Sequence, residues 1–247
     1  MSRHRAGRDV AWARSGAAGA VREVTLRGVL GPIIDLYTRR HVVGGKHLDG
    51  LRAPVLFVAN HSSHMDTPTI LRALPAGWRR RTAVAAAADY FYRVPRVARL
   101  VSLVFNTVPV QRKGEGVVPD AASHLACLLE QGWSLLVFAE GTRSRDGNVG
   151  RLRSGAALLA AEHGLPIVPV YVSGTHAVMP PGSRWMHRGV RRRPIAVHFG
   201  PPVNPGDGEH RTEVMERVRL FFDASGAVTT PDRRITFRRQ ESATRQR

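Results

Sequence analysis

Short, mostly apolar runs alternate with longer stretches of helical periodicity along most of the chain. A nearly continuous apolar run is typical of a strand buried on both faces, as in a parallel sheet. The runs that predict strands are VLFVAN, TAVAAAA, VFNTVPV, SLLVFAE, PIVPVYV and PIAVHFG, at residues 55–60, 82–88, 104–110, 134–140, 166–172 and 194–200. The run at 82–88 is the weakest of them, because alanine favours helices over strands.

Segments of helix length separate these runs and carry their own start and stop signals. Thr67 and Pro68 suit the N-cap and the first turn of a helix over 67–74. Pro119 opens a second helix that Gly132 stops, and Gly164 stops a third. Strands joined through helices predict an α/β fold, with a mostly parallel central sheet flanked by helices in a single domain.

The two ends of the chain differ in composition from the middle. We expect residues 1–25 to form a basic, loosely ordered segment, residues 26–225 the folded domain, and residues 226–247 a basic tail. Within the domain, residues 26–43 mix apolar and arginine positions around Gly31-Pro32. That pattern fits an interfacial amphipathic helix, or equally a helix that packs on the domain.

The chain has a formal charge of +18, almost all from arginine, since Lys46 and Lys113 are its lysines. Such a charge favours anionic partners, among them nucleic acid, anionic lipid, phosphorylated small molecules and acidic proteins. No nucleic-acid motif is recognisable, so we expect no nucleic-acid partner. With no apolar window of about 18 residues and no signal-peptide pattern, the expected location is the cytoplasm, peripherally at the inner face of the cell membrane. The chain has a single cysteine, Cys127, which lies in an apolar helical pattern, and we expect it to be a small residue of the core.

The polar stretch NHSSHMD follows the first strand and holds two histidines and a carboxylate. His61, His64 and Asp66 are all possible metal ligands, but histidines three residues apart point to opposite sides of an extended loop. Alternatively, His61 acts as a general base that Asp66 orients through the other ring nitrogen. Asp66 also fits a capping box with Ser63 at the start of the next helix. The stretch alone leaves these alternatives open.

A second polar stretch, FAEGTRSRDG, follows the strand over 134–140. Gly141 permits close approach of the backbone, Thr142 and Ser144 offer hydroxyls, and Arg143 offers a forked guanidinium. These groups together suit a phosphate ester, with Glu140 able to hold Arg143 in place. Arg112, just past the strand over 104–110, is a further candidate for a phosphate contact.

Taken in order, these segments resemble the glycerolipid acyltransferase family, which contains the 1-acyl-sn-glycerol-3-phosphate acyltransferases. The resemblance covers roughly residues 43–203. Its four blocks are N-H-x-S-x-x-D at Asn60 to Asp66, a strand ending in Arg112 with Asn106 in place of the usual glycine, E-G-T-R-S-x-x-G at Glu140 to Gly147, and an apolar V-P strand with Pro169.

The resemblance implies that His61 deprotonates a free hydroxyl of a lysophospholipid, with Asp66 as its partner. It assigns Arg112, Glu140, Gly141, Thr142 and Arg143 to the acceptor. The hydroxyl would attack the thioester of acyl-CoA or acyl carrier protein, with no metal or other cofactor. The expected acceptor is 1-acyl-sn-glycerol 3-phosphate; glycerol 3-phosphate or another lysolipid is the alternative. A metallohydrolase and a nucleic-acid-binding protein are distant alternatives. Expected partners are the anionic membrane surface, the lysophospholipid and the acyl donor.

Overall fold

A computed structural model of the protein describes residues 10–87, 94–110, 112–113, 116–117, 119–187 and 189–229. In chain order its strands are β1 (Thr38–Val43), β2 (Leu56–Ala59), β3 (Thr82–Ala87), β4 (Thr107–Val110), β5 (Arg112–Lys113), β6 (Gly116–Val117), β7 (Ser134–Phe138), β8 (Ile167–Ser173) and β9 (Arg193–Phe199). The α-helices are α1 (Gly16–Val24), α2 (Gly31–Tyr37), α3 (Asp66–Ala73), α4 (Ala76–Arg80), α5 (Pro95–Phe105), α6 (Pro119–Glu130), α7 (Gly155–Glu162), α8 (Thr175–Val178) and α9 (Arg211–Thr229).

Among the described residues, seven strands form one sheet in the order β1-β9-β8-β2-β7-β3-β4, and β5 and β6 form a separate two-stranded ladder. Every neighbouring pair in the large sheet is parallel except β8 and β9, which are antiparallel. The predicted α/β fold with a mostly parallel sheet is therefore confirmed. Because β9 reverses direction, the amino ends of β1 and β9 lie at the same edge as the carboxyl ends of β2, β7 and β8.

The core lies on both faces of this sheet, and the alternation along β2 divides it. Leu56 and Val58 face one cluster, which α6, α7 and α9 complete. Phe57 and Ala59 face the other, which α3, α5 and the helical segment around Leu26 complete. All four β2 side chains are fully buried. Burial of a side chain such as Phe57 stabilises the fold by roughly 2–3 kcal/mol, so this central strand is firmly held.

Two positions with positive φ end helices as the sequence requires. Gly132 (φ 77) follows α6, and its N–H bonds back to the carbonyl of Leu129. Asn106 (φ 54, ψ 45) ends α5 and passes the chain into β4. Asparagine tolerates the left-handed region better than other residues with a side chain. Asn106 can therefore occupy a left-handed position at which the resemblance implied glycine, and its Nδ2 donates to the carbonyl of Thr82.

Some local expectations were wrong. The described residues before 25 are helical, at Ala11–Arg14 and in α1. The helix expected to reach residue 43 ends at Tyr37, and Thr38–Val43 form an edge strand that pairs with β9. Pro32 does not end the helical path, because it lies at the second position of α2 directly after a π-helical segment at Thr25–Leu30. Proline is commonly accommodated where the regular hydrogen-bond ladder is interrupted in this way.

Two further corrections concern side-chain environments and helix boundaries. Cys127 is exposed, because the face of α6 that packs on the core is occupied by the leucines of this helix. The helix expected to begin at Thr67 begins at Asp66, after Met65 in the N-cap position. Helix α9 extends to Thr229, into the segment expected to be a tail; residues 230–247 lie outside the described part of the chain. Among the described helices, none is both long enough and apolar enough to cross a bilayer.

Candidate active site

The two polar motifs meet at the carboxyl ends of neighbouring strands. β2 and β7 run parallel with Ala59 beside Phe138, so the residues that follow each strand leave the sheet together. Asn60 fixes the first motif to the strand on the other side, because its side-chain amide exchanges two hydrogen bonds with the backbone of Val172. These pairings bring His61 and Glu140 together across 79 positions of sequence.

His61 and Asp66 form a hydrogen-bonded pair with the geometry expected for a base and its orienting carboxylate. His61 Nδ1 lies 2.8 Å from Asp66 Oδ2; Asp66 is fully buried, whereas the His61 side chain keeps 17% exposure. An acceptor that is a carboxylate places the proton on Nδ1. Nε2 is then the ring nitrogen with a lone pair, and it is available to take a proton from a bound hydroxyl.

The carboxylate of Asp66 is held by four donors at once. Besides His61, Oδ2 accepts the backbone N–H groups of Ser62 at 2.7 Å and Ser63 at 2.8 Å. Oδ1 accepts the Oγ1 hydroxyl of Thr175 at 2.5 Å. The capping interaction with Ser63 and the interaction with His61 therefore coexist, because one oxygen serves both. Four hydrogen-bond donors around a fully buried carboxylate fix its orientation.

His61 is also held by a ring contact and by two backbone hydrogen bonds. Its ring stacks on Phe138, the last residue of β7, with centroids 3.9 Å apart and planes 18° apart. Its backbone N–H donates to Glu140 Oε1 at 2.8 Å, and its carbonyl accepts the N–H of Ser144 at 2.8 Å. The imidazole is thus preorganised by both motifs rather than by Asp66 alone.

Glu140 connects loops through its carboxylate. Oε1 accepts from His61 N–H, and Oε2 accepts from Gly150 N–H at 2.8 Å. Burial raises the pKa of this carboxyl, and the two backbone N–H groups only partly oppose that effect. The described hydrogen bonds of Glu140 hold the backbone of His61 and Gly150, and the suggested contact between Glu140 and Arg143 stays a prediction. A contact between Glu140 and a substrate stays a prediction.

The loop after Glu140 is a compact turn with an open arginine-bearing side. Gly141 and Gly147 adopt positive φ angles of 72° and 84°. Ser144 Oγ donates to Asp146 Oδ1 at 2.7 Å, and hydrogen bonds from Ser144 and Asn148 lower the pKa of Asp146 to about 2. The ring of His176 packs against Gly147, and its Nε2 lies 3.1 Å from the carbonyl oxygen of Arg145. His176, in the short helix α8 that follows β8, therefore supports this loop.

Arg143 and His64 lie close to the His61–Asp66 pair. Both are half-buried, and Thr142 is exposed. The pKa of His64 is lowered to about 4, first by burial, then by the positive charges of Arg143 and His61. His64 is therefore neutral at physiological pH, and the positive charge near His61 comes from Arg143. Gly141 and Thr142 precede Arg143 in the same loop, and a contact of these three residues with an acceptor stays a prediction.

Sequence reasoning missed three contributors to the site: Thr175, Phe138 and the backbone of Ser62. A signal for Thr175 was available, because it lies in the polar segment SGTH directly after the predicted strand over 166–172. Phe138 looked like one more apolar strand residue. The strand expected to end in Arg112 ends at Val110 as β4, and Arg112 lies in the separate strand β5. The side chain of Arg112 is outside the described part of the structure. Within the described residues, no three His, Cys, Asp or Glu side chains group as metal ligands.

Comparison with known proteins places this geometry in a family. The family model described as "Acyltransferase" matches residues 39–173, which is more than half of the chain. The chloroplastic 1-acyl-sn-glycerol-3-phosphate acyltransferase of Brassica napus is 28% identical over 191 residues, covering 74% of this chain and 52% of that protein. Its counterpart in Arabidopsis thaliana is 30% identical over 185 residues, covering 73% and 49%. The chain thus spans about half the length of these curated relatives.

A solved structure agrees with the fold over most of its length. The crystal structure of the 1-acyl-sn-glycerophosphate (LPA) acyltransferase PlsC from Thermotoga maritima superimposes with a TM-score of 0.62 at 25% identity, covering 88% of this chain and 83% of that one. The family match includes both motif loops and the strands that carry them. The chain belongs to the acyltransferase family, in which it is similar to the 1-acyl-sn-glycerol-3-phosphate acyltransferases.

Proposed function

We propose that the protein transfers a fatty acyl group from a thioester to the free hydroxyl of 1-acyl-sn-glycerol 3-phosphate, forming phosphatidic acid. The observation that carries this proposal is the His61 Nδ1–Asp66 Oδ2 bond of 2.8 Å beside an arginine-bearing loop. The relatives named as 1-acyl-sn-glycerol-3-phosphate acyltransferases support the choice of acceptor. Glycerol 3-phosphate or another lysolipid is the alternative acceptor.

The reaction needs one base and no enzyme-bound intermediate. His61 Nε2 removes the proton of the acceptor hydroxyl as its oxygen attacks the thioester carbonyl carbon. The tetrahedral intermediate then breaks its C–S bond, and the thiolate leaves as the thiol after taking the proton from His61. Asp66 stabilises the imidazolium that exists between these two proton transfers. A positioned base of this kind contributes about 10² to 10⁴ in rate.

The acceptor phosphate is assigned to the loop at Gly141–Arg143, with Arg112 as a further contact. A forked guanidinium binds two oxygens of a phosphate ester through charge-assisted hydrogen bonds. Since Arg143 already lowers the pKa of His64, its charge reaches the interior of the site. The acyl donor is acyl-CoA or acyl carrier protein, and no further cofactor takes part.

We further propose that the protein works while bound peripherally to an anionic membrane surface. α1 packs against α5, and Val21, Val24, Val97 and Leu100 on these helices are 48%, 67%, 45% and 61% exposed. Exposed valine and leucine beside many arginines suits the interface of an anionic bilayer, where each basic residue contributes about 1 kcal/mol.

The direct test is acyl transfer to lysophosphatidic acid, measured by mass spectrometry with acyl-CoA and acyl carrier protein as donors. His61→Ala should lose activity by about 10² to 10⁴ while its melting temperature stays near that of the parent. His210→Ala, at an exposed position before α9, is the matched control and should be fully active. Full activity of His61→Ala would refute the mechanism.

A second pair of variants tests the acceptor assignment. Arg143→Gln should raise the KM for lysophosphatidic acid by about tenfold, the loss expected for one charge-assisted bond. Arg211→Gln removes the same charge from an exposed position at the start of α9 and should change nothing. An unchanged KM and kcat in Arg143→Gln would remove Arg143 from the acceptor site. A screen with glycerol 3-phosphate and other lysolipids separates the alternative acceptors.

A further inference from the structure

A cleft lies at the opposite edge of the sheet from His61. Arg81 directly precedes β3 and Trp133 directly precedes β7, so both stand at the amino ends of strands whose carboxyl ends face the active site. The N-terminal helical segment closes one side, and α6 closes the other. The lining residues are Ala11, Arg14, Ser15, Arg81, His124, Cys127, Leu128, Gln131 and Trp133, and the volume is about 640 Å³.

The cleft is built to favour an anion. Arg14, Arg81 and His124 line it, and none of its described lining residues is acidic. A further cation stands nearby in Arg22, which is 4% exposed and donates to the carbonyl of Ala13. Burial lowers the pKa of Arg22 to about 10; Glu23 opposes that effect and the charge of Arg14 adds to it. A bound anion would relieve the repulsion between these guanidinium groups.

Glu23 is the acid next to Arg22 in the sequence, and Arg79 engages it. The two oxygens of Glu23 accept Arg79 Nε at 2.7 Å and Arg79 Nη2 at 2.8 Å, in a bidentate pair. Neither residue of this ion pair lines the cleft.

The shape and the walls favour more than a simple inorganic ion. The guanidinium carbon of Arg81 lies 5.1 Å from the ring centroid of Trp133, so its plane is supported by a buried indole. A guanidinium plane backed in this way can stack on a flat heterocycle as well as bind phosphate. Leu128 adds an apolar wall. The volume lies within the range of about 300–1,000 Å³ that is usual for small-molecule sites.

We propose that this cleft is a second phosphate site, separate from the catalytic one, which binds a soluble organic phosphate of nucleotide size. The phosphate would be held by Arg14 and Arg81 with His124, and the ring system would lie on Arg81 and Trp133. The same phosphate chemistry could be presented by an anionic lipid headgroup, and the experiment below separates the two sources.

Cys127 provides a local reporter, because it is exposed at the cleft and is the single cysteine of the chain. The rate of its alkylation by N-ethylmaleimide is measured in the full chain against increasing ADP, inorganic phosphate, or vesicles with and without phosphatidic acid. Saturating ADP should slow alkylation by about fivefold, and its half-effect concentration should lie well below that of inorganic phosphate, which lacks the stacking group. Arg81→Gln and Arg14→Gln should each raise the half-effect concentration of ADP by about tenfold.

Two controls separate this cleft from the catalytic edge and from general charge effects. Arg143→Gln and Arg211→Gln should leave protection by ADP unchanged. Melting temperatures identify any variant that fails to fold, and Arg14→Gln then stands in for Arg81→Gln. Absence of protection at about 10 mM ADP, where most small-molecule sites are filled, would overturn the proposal. The proposal would also be overturned if both cleft variants had the same half-effect concentration of ADP as the parent. Loss of protection in Arg143→Gln would overturn it too. Protection by phosphatidic acid vesicles alone would assign the cleft to a lipid headgroup and refute the soluble ligand.

Discussion

Replacing Asp66 by asparagine changes the charge beside His61 with almost no change in shape. In the parent, Oδ2 accepts His61 Nδ1–H and the N–H groups of Ser62 and Ser63, and Oδ1 accepts Thr175. An asparagine oxygen in the place of Oδ2 keeps its three donors. The amide nitrogen then faces Thr175 Oγ1, and the hydroxyl can rotate to accept from it. The network therefore survives, and only the negative charge is lost.

The cost to catalysis follows from the distance between the two groups. With charge centres about 4 Å apart and an effective dielectric constant of about 20, a carboxylate stabilises an imidazolium by about 4 kcal/mol. The neutral amide retains part of this through its hydrogen bond, which leaves a loss of about 3 kcal/mol in the transition state. Asp66→Asn should therefore lower kcat by about 10², while the KM for the acceptor stays within a factor of about two because Asp66 does not reach the phosphate.

The assay is the initial rate of acyl transfer to lysophosphatidic acid at saturating donor, with Tm measured in parallel. Weaker hydrogen bonds to a neutral oxygen should lower stability by about 1–3 kcal/mol, or several degrees in Tm. Asp207→Asn, the same chemical change at an exposed turn, is the control and should retain full rate. A kcat within about threefold of the parent in folded Asp66→Asn would refute the electrostatic role given to this carboxylate.

Three further predictions concern the surroundings of the pair. Thr175→Val should lower kcat by about fivefold through the loss of one hydrogen bond to Asp66, with KM unchanged and with rescue in Thr175→Ser; equal rates in all three proteins would show that the hydroxyl is not needed. For Glu140, whose pKa is raised in the folded state, the contribution to stability is present at low pH and is lost as the pH rises above 4.5. The Tm advantage of the parent over Glu140→Gln should therefore shrink from pH 4.5 to pH 7, and a growing advantage would contradict the burial argument. His64, with its pKa lowered from 6.5 to about 4, contributes stability that is complete above pH 6.5 and is lost as the pH falls toward 4. Between pH 6.5 and pH 5 the free energy of unfolding of the parent should fall by about 2 kcal/mol more than that of His64→Gln. Urea denaturation that shows the same change for both proteins over this range would exclude this contribution of His64.

The apolar pattern was sufficient to predict the main sheet because its central strands are buried on both faces. Each strand of the sheet from β2 onward was anticipated within a few residues. β1 was not, since TRRHVV at an exposed edge has the mixed composition of an amphipathic helix end. Its partner, β9, lies 150 residues or more further along the chain, and no local pattern reports such a pairing. Cys127 was misplaced for a similar reason, because apolar neighbours in sequence occupy a different face of α6.

The candidate site divides in the same way. His61 and Asp66 are close in sequence, so their pairing could be inferred from spacing and residue type. The contacts of Thr175 with Asp66 and of Glu140 with the His61 backbone join residues 109 and 79 positions apart. These contacts depend on the order of β2, β7 and β8 in the sheet. The sequence predicts the class of fold but not the order of its strands. Predicting the orientation of Glu140 would have required that strand order, because the N–H groups that it accepts belong to His61 and Gly150.

The backbone bonds between His61 and the loop after β7 also bear on local opening. His61 N–H donates to Glu140, and Ser144 N–H donates to the carbonyl of His61. Neither segment can therefore detach without breaking hydrogen bonds that the other segment makes. Native-state hydrogen exchange should then report one shared opening free energy for these two amides. A chain with an insertion in either loop would lose protection in both. His61 and the loop after β7 thus form one cooperative unit of the native ensemble, which exposes the proposed base and the proposed anion site together.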